Sequence, residues 1–296
     1  MLRKTLLTLL SALALASAAH AEDAQTDAEA KAQAEALVGS LHFRSGDIAL
    51  NEAKATFHLG QGYRYLDQAD ARRVVEDLWG NPSDDSVLGL IVPAGESLIA
   101  DDGWAVVVTY SDDGHVDDDD AKDTDYDELL TSMKKEAEEE NDDRRKAGYA
   151  PLHIVRWAAP PRYDMTSKKL YWARELASDG NPEHTLNYDI RVLGRNGYLS
   201  LNAVSRMSEL GRVQSGMQDL LPLTEFNPGA RYADFNSSTD KLAGYGVAAL
   251  IAGGIAAKTG LFAKIGLLLL GLKKFVIFIF AGIAAFVRKL FGRKDR

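Results

Sequence analysis

The sequence predicts an α+β fold: a mostly antiparallel sheet with two or three helices, followed by a C-terminal transmembrane helix. Three observations lead there. Eight segments alternate apolar and polar residues with the period of a strand. They come in runs of two to four with helical stretches between them, not in the regular strand–helix alternation that makes a parallel sheet. The chain from Leu242 onward turns apolar and basic.

The elements follow in order. Residues 1–21 have the three parts of a secretory signal: Arg3 and Lys4, an apolar run from Thr5 to Ala18, and the small-residue site Ala19-His20-Ala21. The alternative, an uncleaved helix, is short for a span of about 20 residues. Residues 22–40 are rich in Ala, Glu and Asp and read as a linker. Residues 41–240 then form the exported domain. Its expected strands are Asp47–Leu50, Ala55–Leu59, Val87–Val92, Trp104–Tyr110, His153–Ala158, Lys169–Leu176, Leu186–Leu193 and Tyr198–Ser205. Asn196-Gly197 between the last two is a hairpin signal, since Asn-Gly suits a tight turn. Asp67 N-caps an expected helix over Gln68–Trp79 that Gly80-Asn81-Pro82 ends. Tyr126–Ala147 is a charged helix, and Ser208–Leu220 carries Leu210, Val213, Met217 and Leu220 at helical spacing. The four tryptophans are expected in the core.

Leu242 to about Ala263 is the expected membrane span, with Lys258 and Lys264 snorkelling to one face. Residues 264–296 form a basic, apolar tail. Its Phe275–Val287 run has 13 residues, so it lies in the interface or forms the core of a second, tilted span. One span satisfies the positive-inside rule and puts the domain in the periplasm with the tail in the cytoplasm of a bacterial inner membrane; a hairpin puts the basic tail outside. Ala249, Gly253 and Ala257 make a small-residue stripe through which two copies could pair.

Composition narrows the function. The 296 residues are 46% hydrophobic and 26% charged, as in globular proteins. Cysteine is absent, which excludes disulfides, thiolate nucleophiles and Cys-ligated metals. The net charge of −9 argues against nucleic acid as a partner. That figure hides an asymmetry: residues 1–21 carry +2 and 241–296 carry +9, which leaves −20 for residues 22–240.

The acids concentrate in residues 112–143, with 16 acids against three lysines. Asp117, Asp118, Asp119 and Asp120 offer hard oxygens to a cation such as calcium. The EF-hand spacing fails, because a loop started at Asp123 meets Glu128 where glycine is needed and Lys134 where glutamate is needed. A solvated acidic loop feeding a helix is the simpler reading, and no resident cofactor is expected.

Catalytic motifs are missing. There is no H-E-x-x-H, no Walker A and no G-x-G-x-x-G, and Gly95-Glu96-Ser97-Leu98-Ile99 lacks the second glycine of a nucleophile elbow. The histidines after the signal (His42, His58, His115, His153, His184) have no metal spacing. What remains is a polar cluster in the second half: Arg162-Tyr163-Asp164, Glu175, Asn187-Tyr188-Asp189, Arg191, Arg195 and Asn202. Asp189 and Arg191 share one strand face and, if buried, need each other as charge partners. As catalytic candidates, Asp164, Glu175, Asp189 and Arg191 would serve a membrane-tethered, metal-assisted hydrolase. The non-enzymatic alternative is an envelope protein that binds lipid through its C-terminal helix and a protein or envelope component through its acidic domain. A membrane-active role for Leu242–Phe291 is a third reading.

Several stretches together carry a resemblance: GYRYLDQADA and LWGNP, LGLIVP at Leu88–Pro93, GHVDDDDAKDTDYDELL at Gly114–Leu130, LYWARELA at Leu170–Ala177, TLNYDIRVLGRNGYLSLN at Thr185–Asn202 and RYADFNSSTDKLAGYG at Arg231–Gly246. From about Phe43 to the C-terminus the chain resembles a bacterial family of uncharacterised membrane-anchored proteins, a domain of unknown function. The resemblance implies a signal peptide, an exported domain and a C-terminal anchor. It supplies no reaction and no catalytic residue.

Overall fold

The structure is a computed structural model that describes residues 28–252, apart from positions 82, 123, 147 and 149. The chain divides at Ser40. Residues 28–39, inside the expected linker, form a helix (α1) in one compact unit. The other unit begins at Leu41 and holds everything below.

Its frame is a seven-stranded antiparallel sheet, in the order β3 (Tyr63–Asp67), β4 (Val87–Pro93), β5 (Ala105–Ser111), β10 (Tyr198–Arg206), β9 (Thr185–Leu193), β8 (Lys169–Ser178), β7 (Leu152–Asp164). β1 (Asp47–Leu50), β2 (Ala55–His58) and β11 (Thr224–Phe226) make a second, three-stranded sheet. A parallel pair joins β6 (His115–Asp117) to β12 (Leu242–Gly246). The α+β, mostly antiparallel expectation holds.

Period-2 alternation explains which way each strand faces. Leu186, Tyr188 and Ile190 of β9 and Leu199, Leu201 and Ala203 of β10 point into a core shared with Phe57 of the small sheet. Val213, Met217 and Leu220 of α4 (Leu210–Leu220) close that core. The other face of β8 and β9 sends Leu170, Trp172 and Leu193 into a second core with Val116, Met133 and Trp157. The residues between these on that face are polar and make the network described below.

α2 begins at Gln68, where Asp67 accepts a bond from the Asp70 amide. From Arg73 to Leu78 it widens to π-helical bonding and ends with Trp79 N–H donating to Val74 O. Asn81 then closes it, its side chain donating 2.9 Å to Val75 O. α3 spans Tyr126–Lys146, capped by the Asp125 carboxylate on the amides of Asp127 and Glu128, both at 3.0 Å.

Besides the short strands β3, β6 and β11, which were not expected, three features modify the sequence expectations. β7 runs on past Ala158 through Pro160 and Pro161 to Asp164. Proline lacks the N–H a ladder needs, but β7 is an edge strand, where that loss is tolerated, and its register shifts three times. At Gly197 the need for glycine is packing as well as turn geometry: a Cβ there would lie 1.8 Å from Ser111 O.

The third difference concerns the expected membrane helix. Leu242–Gly246, its first five residues, form β12, and helix starts only with α5 at Val247–Ala252. Val247, Leu250 and Ile251 are buried in the second core beside Trp172 and Trp157. Among the described residues no helix is long and apolar enough to cross a membrane. The remainder of the expected span, Gly253 and Ala257 of the small-residue stripe, the basic tail and the signal peptide lie outside the described residues.

Candidate functional site

Asp189 is fully buried at the centre of the large sheet, and register brings its partners to it. Trp172 on β8 and Asn202 on β10 stand directly opposite it. Asn202 donates to Asp189 Oδ1 at 2.9 Å and Arg191 to the same oxygen at 3.0 Å; Arg174 reaches Oδ2 at 3.2 Å. Asn187 accepts from Arg174 at 2.7 Å and donates to Asn202 at 3.1 Å, which closes the loop. The Arg191 guanidinium lies 4.9 Å over the Trp172 ring. Burial pushes Arg174 below its ordinary value, against the pull of Asp189. Two guanidinium groups thus share one carboxylate in a setting where a lone charge is costly.

Glu175 is buried too, but it belongs to other partners: His184 Nδ1 at 2.5 Å and Arg156 at 2.6 Å. The β8–β9 register is regular from Lys169 to Leu176, so Glu175, three residues from Trp172, projects from the opposite face to Asp189. Asp164 sits at the end of β7, paired with Lys169. That is about 20 Å along β8 from Glu175 at 3.3 Å per residue. Its carboxylate accepts from Ser167 Oγ at 2.7 Å and Thr166 N–H at 2.9 Å, and these bonds hold it below the usual carboxylate range. The structure joins Asp189 to Arg191 and keeps Asp164, Glu175 and Asp189 apart.

The acidic run is likewise dispersed. Asp117 accepts from the Asp119 amide at 2.8 Å, and Asp119 opens a short 3-10 turn. Asp118 takes Lys168 at 2.6 Å, Tyr163 OH at 2.8 Å and Tyr232 OH at 3.0 Å. Burial pushes its carboxyl up, and those three bonds more than reverse this. Asp120 accepts from the amides of Val247 at 2.8 Å and Ala248 at 3.2 Å, at the start of α5. Asp113 receives Tyr245 OH at 2.7 Å. Among the described residues no three His, Asp or Glu side chains converge as a metal cage. These acids work as ties between β6, α5 and the β7–β8 turn.

A cleft of about 360 Å³ opens where the β1–β2, β5–β6 and β9–β10 turns meet. Tyr110 and Phe226 line it, their rings 6.4 Å apart. Glu52, Lys54, Asp112 and Lys241 also line it. Sequence reading placed Asp112 only in the acidic run and missed Glu52, Lys54 and Lys241, because the four charges come from three separate segments of the chain and no spacing links them; the one local signal was the turn chemistry of Asn196-Gly197.

Fold and cleft together define an α+β domain whose buried sheet polar residues satisfy one another and whose turns meet at a charged opening. The chain belongs to the family described as protein of unknown function (DUF2167), whose model matches residues 42–284. No curated protein matches it. Among solved structures it is similar to cyanobacterial PsbP from Synechocystis, with a TM-score of 0.35, 11% identity, 64% of this chain and 93% of that one. It is also similar to the Ran-binding protein Mog1p of Saccharomyces cerevisiae (0.33, 10%, 63% and 96%). A third is LpqN of Mycobacterium tuberculosis, involved in cell envelope biogenesis (0.33, 11%, 64% and 95%).

Proposed function

We propose that this is a membrane-anchored protein of the bacterial envelope whose domain faces the periplasm and binds a protein or envelope component without catalysing a reaction on it. The observation that carries the reading is the separation of the carboxylates: Asp189 and Glu175 lie on opposite sheet faces, each committed to its own partners. Paired acid–base chemistry needs two carboxyl groups facing one substrate. Glu52, Lys54, Asp112 and Lys241 line the cleft and are open to a ligand there. The anchor rests on the apolar, lysine-edged sequence after α5.

The chain's lack of cysteine makes the test clean. Met165 is exposed, on the β7–β8 turn. Met165→Cys in intact cells with a permeable outer membrane is expected to react with a membrane-impermeant maleimide, and the protein to stay with membranes in alkaline carbonate. Labelling only after lysis, or release into the carbonate supernatant, would overturn the proposal.

A further inference from the structure

The cleft holds two lysines and two carboxylates, and none of the four has an ion-pair partner among the described residues, although all line about 360 Å³. Every salt bridge described for the domain lies elsewhere, with Arg72, Arg206 and Arg212 each serving two or more acids. Unlike charges around one opening stay separate when their anchor points do. Lys54 sits at φ +52 in the β1–β2 turn, a conformation L residues rarely adopt. Its N–H donates to Asn51 O, and its carbonyl accepts from Asn227 N–H at 2.9 Å. Asp112 follows Ser111, whose carbonyl is pressed against Gly197. The Lys241 carbonyl accepts from His115 N–H at 2.8 Å. The backbone at three of the charges is therefore held by different segments of the chain. The aromatic rings of Tyr110 and Phe226 line the same cleft.

We propose that this cleft binds a small zwitterion, a molecule carrying one primary ammonium and one oxyanion a few bonds apart, with the oxyanion on Lys54 and Lys241 and the ammonium on Glu52 and Asp112. The inference rests on the reading of the domain as a binding module and names the chemistry of its ligand. A volume near the lower end of the usual ligand range suits a dipeptide or a phosphorylated amino alcohol, not a polymer chain. A ligand with one charge satisfies one pair and leaves the other facing like charge or solvent. A zwitterion satisfies both, so discrimination between charge states is the signature.

The full-length protein in detergent, isotopically labelled, is titrated with dialanine and with phosphoethanolamine, which separates a peptide source from a headgroup source. Amide shifts are followed at Tyr110 and Asn196. Saturable shifts with one probe are expected, at least tenfold weaker with N-acetyl-dialanine or dialanine amide when dialanine binds, or with ethanolamine or inorganic phosphate when phosphoethanolamine does. Lys54→Ala with Lys241→Ala, and separately Glu52→Gln with Asp112→Asn, each lose at least tenfold while the remaining spectrum is unchanged; Lys54→Arg retains binding. No saturation by either zwitterion at millimolar concentration, or equal binding of the single-charge forms, overturns the inference. The maleimide and carbonate results are independent of either outcome, so failure here leaves the membrane-anchored reading standing on its own test.

Discussion

Asp189 is the residue on which the polar centre of the large sheet turns. Asp189→Asn leaves Arg174 and Arg191 buried without an anion, and breaking one partner of a buried pair costs about 3–5 kcal/mol. The urea midpoint is expected to fall accordingly. Replacing Asp189, Arg174 and Arg191 together by apolar residues is expected to cost less than Asp189→Asn alone, since burying no charge avoids the desolvation. Histidines carry the second prediction. Glu138 at 2.5 Å and Asp179 at 3.1 Å hold His153 above its usual 6.5. Its tie between α3 and the β8–β9 turn is complete below 6.5 and lost as pH rises through the raised value. His115 behaves oppositely. Buried and stacked 3.9 Å from Phe235, it is pushed below 6.5, so its contribution is lost as pH falls from 6.5 through the lowered value. Melting temperature against pH is expected to show a softer alkaline decline in His153→Gln and a softer acid decline in His115→Phe. The Asp189–Arg191 pair was legible because i and i+2 share a strand face. Arg174, Asn187 and Asn202 were not legible as its partners, because only cross-strand register brings them together. Glu175 looked equivalent to Asp189 until the same register put it on the other face.

At the scale of elements, β12 and α5 show where sequence patterning fails. Leu242–Gly246 holds two glycines and flows without a polar break into an apolar run, so it reads as the start of one long helix. It becomes a strand because β6 offers a parallel partner and Asp120 caps the helix that follows. A Cβ on Gly246 would lie 2.3 Å from the Asp120 carboxylate. Asp120→Ala is expected to cost about 1 kcal/mol, the usual worth of a capping side chain. Gly246→Ala is expected to cost at least as much, because it must expel the same carboxylate. Chemical denaturation of both variants checks this. β3 was missed because its alternation breaks at Leu66, which is apolar and buried like its neighbour Tyr65. The long strands and α3 were legible because each repeats its period several times.

For the whole molecule, the folded domain does not end at residue 240. Val247, Leu250 and Ile251 complete the second core, and each such side chain is worth about 1.5–3 kcal/mol when buried. A fragment of residues 41–252 is expected to melt at a higher temperature than one of 41–240, in which Val116 and Trp172 lose their cover; circular dichroism and sedimentation compare the two. Fold class was readable from periodicity alone, since eight alternating segments without regular helix interleaving admit few other arrangements. The cleft was not, because a site built from turns has no period and exists only once the sheet is assembled.

The outer rim of that sheet has one more consequence. Pro160 and Pro161 remove two consecutive donors from β7, and its three register shifts bend the strand out of line. Along that edge a second molecule therefore finds no straight template on which to stack.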